Sequence, residues 1–190
     1  MSNPHSQSQY QVRFDWGVAG AATIATDADV IVFVDVLRVG APVDLVAELP
    51  GHAAAIVAGS LANAAAVARW ALGQQGGKGD RFMVAVVAAG ETRQDGSMRF
   101  ALEDLLGAGA VIDALAEVGI DYCSPESAAA SAAFTGLRNA TGHLVGASGS
   151  GRELAELGRR TEVDEAIRVN SSDEVVVLRE FSFPAMRSDL

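Results

Sequence analysis

Residues 29–36 read DVIVFVDV, and this stretch decides the fold. Val30 to Val34 are apolar without a break, and all but Phe33 are β-branched. A strand with one wet face alternates apolar and polar side chains. An unbroken Val/Ile run is the mark of a strand covered on both faces, as in a parallel sheet. Two more runs have the same character: AAAIVAG at 53–59 and RFMVAVVAAG at 81–90. Helical periodicity separates or follows them. SLANAAAVARWAL at 60–72 puts Leu61, Ala64, Ala65, Ala68 and Leu72 on one stripe, with Ser60 placed as N-cap. LEDLLGAGAVIDALAEVG at 102–119 does the same with Leu102, Leu105, Leu106, Ile112 and Ala116, and Gly119 ends it. Strand and helix in alternation predict a layered α/β fold, with a mainly parallel sheet and helices on both faces.

Outward from this centre, YQVRFDW at 10–16 alternates and predicts the first strand, while EVVVLREFSF at 174–183 predicts a last, antiparallel edge strand. The alanine-rich stretch 124–158 reads as helix broken near Gly136, Gly142 and Gly149–Gly151. GQQGGKGDR at 73–81 reads as a surface loop, and residues 1–9 as a flexible tail before one α/β domain over 10–190.

The chain has 190 residues, 49% hydrophobic and 20% charged, enough for a sizeable core. Its net charge of −10 argues against general nucleic-acid binding, which needs basic patches. An anionic ligand would need local arginines, helix N-termini or a divalent cation. The single cysteine, Cys123, excludes an internal disulfide and a cysteine-rich zinc site. No apolar run reaches bilayer length, and the polar start MSNPHSQSQYQ lacks a signal-peptide pattern, so a cytoplasmic protein is expected. The alanine-rich surface permits a homo-oligomer without requiring one.

Ligands of open α/β sheets bind beyond the carboxyl ends of the strands. The three buried strands end near Asp35 and Arg38, near Ser60 and Asn63, and near Glu91, and the loop after Glu91 leads to Glu103 and Asp104. These side chains are expected to gather at one end of the sheet. Each also has a plainer reading. Asp35 can cap a turn, Ser60 a helix, and acids in a first helical turn are favoured by the dipole by about 0.3–1 kcal/mol. Glu103 and Asp104 fall off the apolar stripe, so a solvated face and a metal site both stay open. Gly107 and Gly109 weaken a helix by about 1 kcal/mol each, and are expected to let it lie close to the sheet. ASGSGRELAELG at 147–158 is a glycine-rich helix start carrying Arg152; its N–H groups could hold phosphate, although it lacks the P-loop pattern. His5, His52 and His143 have no metal-ligand spacing.

VDVLR, VAGSLANAAAVA, VAAGETRQDGSMRFALEDLLGAGAVIDAL and SGRELAELGRRTEVDEAIRVNSSDEVVVL follow one another in the order seen in the 2-phosphosulfolactate phosphatase family. The resemblance runs from about residue 12 to 180, and ALEDLLGAGA is its most specific block. It implies a Mg²⁺-dependent phosphatase that takes phosphate from 2-phosphosulfolactate or a similar small phosphorylated acid. Mg²⁺ takes oxygen ligands, often one or two carboxylates plus waters. The candidate ligands are Asp35, Glu91, Glu103 and Asp104. The candidate catalytic residues are Asp35, Arg38, Glu103 and Asp104, with Ser60, Asn63 and Arg152 on the phosphate. The family usually carries several tens more residues between the positions of Arg38 and His52, including an arginine- and glycine-containing loop that resembles part of its active site. The second reading is therefore an inactive relative that keeps the fold or a weak anion or metal site. A nucleotide-binding module, resting only on the α/β class and the glycine-rich SGSGR, ranks third.

Overall fold

A computed structural model describes residues 3–40, 43–49, 52 and 54–180. The strands are β1 (Val12–Trp16), β2 (Val30–Val34), β3 (Ala55–Gly59), β4 (Val84–Ala88), the short pair β5 (Glu91–Thr92) and β6 (Met98–Arg99), and β7 (Val176–Arg179). The helices are α1 (Gly17–Ile24), α2 (Leu45–Glu48), α3 (Ala64–Lys78), α4 (Leu102–Glu117), α5 (Pro125–Leu137), α6 (Thr141–Ala147), α7 (Gly149–Glu156) and α8 (Arg160–Ala166). The main sheet has the order β1-β4-β2-β3-β7. Its first four strands are parallel, and β7 runs antiparallel to β3 at the edge. The layered α/β architecture read from the sequence is the one observed. Residues 181–183 of the expected last strand lie outside the described residues.

Every residue of β2 is buried, as the unbroken run requires. Val30, Val32 and Val34 join the core under α3, α4 and α5, whereas Ile31 and Phe33 join a second core under α1 and α2. Burying such a side chain contributes about 1.5–3 kcal/mol, so a strand with two apolar faces is fixed at the centre of the sheet.

Several local expectations give way to longer-range contacts. The glycine-rich stretch 73–81, expected as a loop, is helical as far as Lys78, where α3 ends. Gln75 Oε1 accepts from Gln11 Nε2 at 2.7 Å and from the Phe82 N–H at 3.2 Å, and Lys78 Nζ donates to both Asp29 oxygens. Ser60 does not cap the helix: Asn63 occupies the N-cap position, and its Oδ1 accepts from Ser60 N and Oγ. Within the expected tail, residues 4–6 form a 3₁₀ turn. Gln7 Nε2 donates to Phe14 O at 2.9 Å and Gln7 Oε1 accepts from Phe14 N at 3.0 Å, so a side chain pairs the free edge of β1.

Candidate active site

The parallel strands end level with one another. Val34 is in register with Gly59 on β3 and Ala88 on β4, so the residues that follow emerge at the same height. The α4 start meets them there. Gly107 makes this possible, since a Cβ on it would lie 2.6 Å from Val36 Cγ2 and 2.8 Å from Val34 Cγ1. Gly109 faces elsewhere than expected. A Cβ on it would lie 2.3 Å from Ala130 O, so it admits α5 and not the sheet. With sheet on one side and α5 on another, α4 has no solvated face at its start. Glu103 and Asp104 are 2% and 3% exposed, which corrects the open-face reading.

Asp104 Oδ1 accepts from Val36 N at 2.8 Å, and Oδ2 from Gly90 N at 2.9 Å. Burial raises its pKa to about 8; the nearby Asp35 and Glu103 charges add to the rise, and the two N–H donors oppose it. Asp35 lies one residue before Val36. Its Oδ2 accepts from Arg38 Nε at 3.1 Å. Burial raises the Asp35 pKa too, Arg38 pulls it back, and Glu103 adds to the rise.

Glu91 and Glu103 meet at α7. The Ser150 hydroxyl lies within hydrogen-bond reach of both Glu91 Oε1 and Glu103 Oε1. Arg99 Nη1 holds the other Glu91 oxygen, Oε2, at 2.6 Å. The Arg99 guanidinium lies over Gly149, where a Cβ would stand 2.5 Å from Nη2. Ser150 and Arg99 escaped the sequence reading. Ser150 sat inside a motif read for its backbone. Arg99 is carried by a hairpin whose Asp95-Gly96 pair was an available signal.

A cavity of about 460 Å³ opens at this end of the sheet, lined by Asp35, Arg38, Gly90, Glu91 and Glu153 among others. Asp35, Glu91, Glu103 and Asp104 are thus brought together, with Arg38 on the cavity wall. The other expected phosphate contacts stand apart. Asn63 Nδ2 donates to Ala58 O and Glu174 O while its Oδ1 takes both Ser60 donors, so the pair is committed to the β3–α3 turn. Arg152 is exposed on α7 and is not on the cavity wall, where its neighbour Glu153 lies.

The model of the 2-phosphosulpholactate (2-phosphosulfolactate) phosphatase family matches residues 45–180. The chain belongs to this family. The match holds Glu91, Arg99, Glu103, Asp104 and Ser150, and begins after Asp35 and Arg38. Membership makes the chain a phosphatase-like hydrolase and points to a small-molecule substrate. No curated protein matches it. Among the described residues, no helix is long and apolar enough to cross a membrane.

Proposed function

We propose that the protein is a Mg²⁺-dependent phosphomonoesterase for a small phosphorylated acid such as 2-phosphosulfolactate, acting in the cavity beyond β2 and β4. The observation that carries this reading is the meeting of Asp35, Arg38 and Glu91 on one cavity wall, with Glu103 joined to Glu91 behind it through Ser150. An acid-rich cavity on a chain of net charge −10 repels a phosphate ester unless a cation stands between them.

The donor set fits Mg²⁺. It is all oxygen, and Ser150 has a single hydroxyl hydrogen to offer two carboxylates, so one of them has room for a cation. Among the described residues, no group of three His, Cys, Asp or Glu is arranged to hold an ion. The site would rely on one or two carboxylates, with substrate and water oxygens completing the shell. Glu91 and Glu103 would be the holders, with Asp35 beside them free for proton transfer. Bound there, the ion would neutralise phosphate charge and lower the pKa of a coordinated water. Arg38 donates to phosphate oxygens and orients the ester. Asp35, whose pKa burial raises against the pull of Arg38, would exchange a proton with the attacking water or the leaving oxygen.

The test is phosphate release from a panel of small phosphorylated acids with and without Mg²⁺. Release that needs the ion and drops at least about a hundredfold in Asp35→Asn supports the reading. Release indifferent to both removes it. The second reading, an inactive relative, is favoured by the short connection between β2 and β3 and by Arg38 already being paired with Asp35. It predicts no turnover on any ester, with Mg²⁺ or phosphate binding weak or absent by calorimetry.

A further inference from the structure

We propose that Asp104 is a positioning residue and not a metal ligand: its carboxyl clamps the ends of β2 and β4 together, so that Asp35 and Glu91 face the same cavity. The inference rests on the proposed phosphatase reading for its consequence, but the clamp itself is a matter of geometry. Both Asp104 oxygens are taken by backbone N–H groups, those of Val36 and Gly90. Each of these residues adjoins one cavity acid in the chain: Asp35 precedes Val36, and Glu91 follows Gly90. Beyond Val34 and Ala88 the sheet ladder between β2 and β4 has ended, apart from the Ala89 N–H to Val34 O bond at 2.8 Å. The next amides would diverge into their loops without a shared acceptor. A carboxyl group has two oxygens at a fixed separation, and the first turn of α4 aims it between the two strands.

Gly107 belongs to the same device. It lets α4 approach Val34 and Val36 closely enough for a side chain as short as aspartate to reach both amides. Gly90, at φ +67°, turns the chain so that its N–H points back at Asp104. An acid and a glycine three residues apart, at the start of a helix, thereby have one joint task.

Two variants separate the clamp from a ligand role. Asp104→Asn keeps one acceptor and loses the other. Gly107→Ala leaves the Asp104 carboxyl chemically intact but lifts α4 from β2. Amide hydrogen exchange by NMR reads the clamp directly. In both variants the Val36 and Gly90 amides should exchange at least about tenfold faster, while Val32 in the middle of β2 keeps its wild-type rate. Calorimetry with Mg²⁺ alone should show weaker binding in both. Wild-type exchange at Val36 and Gly90 in Asp104→Asn overturns the proposal. So does Mg²⁺ binding lost in Asp104→Asn and unchanged in Gly107→Ala, which is the ligand outcome. If the wild-type protein neither binds Mg²⁺ nor releases phosphate, the phosphatase reading fails, and the amide rates still decide the clamp.

Discussion

Gly109→Ala and Gly73→Ala make the same chemical change in two helices and should have opposite effects. At Gly109 the new Cβ would stand 2.3 Å from the Ala130 carbonyl oxygen, 3.0 Å from its carbon and 2.8 Å from Phe134 Cβ. An unstrained C···O contact is about 3.3 Å or more, so α4 and α5 would have to part by roughly 1 Å. The obstacle is helix backbone, which has no rotamer to change. Overpacking of this kind costs about 1–3 kcal/mol, and the better helix propensity of alanine returns up to about 1 kcal/mol. The net loss is on the order of 1–2 kcal/mol. In a chain of this length each kcal/mol moves Tm by about 2–4 °C. Tm should therefore fall by roughly 2–8 °C. Gly73 lies on the exposed side of α3, with nothing within 4 Å of its would-be Cβ. There only the propensity gain operates, and stability should rise by about 0.5–1 kcal/mol. Thermal and urea unfolding followed by circular dichroism measure both. A Gly109→Ala protein as stable as wild type would refute the close approach of α4 and α5. Shifts of the same sign in both variants would refute the assignment of the two glycines to different causes.

Other outcomes follow from single contacts. Arg13, 1% exposed, donates to the carbonyls of Ser8, Tyr10, Ile24 and Thr26 and so ties the α1 end to β1; Arg13→Met should cost about 2–4 kcal/mol in urea unfolding, by leaving the buried Ile24 carbonyl and the part-buried ones around it without their donor. Asn63→Asp sets an oxygen against Ala58 O and Glu174 O and should cost about 2 kcal/mol; a phosphate contact would instead show as a raised KM at unchanged stability. Asp104 gives a pH signature. Its folded pKa is raised to about 8, so the folded state holds a proton that the unfolded chain releases near pH 4. Its contribution is full below about pH 4 and is lost as pH rises toward 8, by up to about 1.4 kcal/mol per unit. The stability of wild type relative to Asp104→Asn should fall as pH rises from 4 to 8, and parallel curves from pH 4 to 9 would refute the buried proton.

The fold was legible where one cause acts alone. β2 has no wet face, so its composition fixes its place in the sheet without help from any other segment. The gathering of Asp35, Glu91, Glu103 and Asp104 was legible for a related reason. Parallel strands in register end level, and whatever follows them must meet. The start of α4 misled because a helix wheel assumes one buried side, and this helix is covered by the sheet through Gly107 and by α5 through Gly109. The stripe of leucines described only part of its contact surface. The end of α3 misled because its hydrogen-bond partners, Gln11 and Asp29, lie far away in the chain.

SGSG at residues 148–151 carries the most instructive ambiguity. A phosphate-holding helix start needs small residues so that a ligand can approach the backbone. Here each small residue has a partner inside the protein. Ser148 Oγ caps α7 by accepting from Gly151 N. Gly149 makes room for the Arg99 guanidinium, and Gly151 for the Val145 carbonyl at 2.3 Å from its would-be Cβ. Ser150 joins Glu91 and Glu103. The helix start meets the protein's own acids through the Ser150 hydroxyl, and its dipole favours their negative charge. Sequence spacing cannot distinguish a cradle for a phosphate from a seat for two glutamates, because both select small residues at a helix start. What separates them is the position of Glu91 and Glu103, set by β4 and α4, dozens of residues away from the motif.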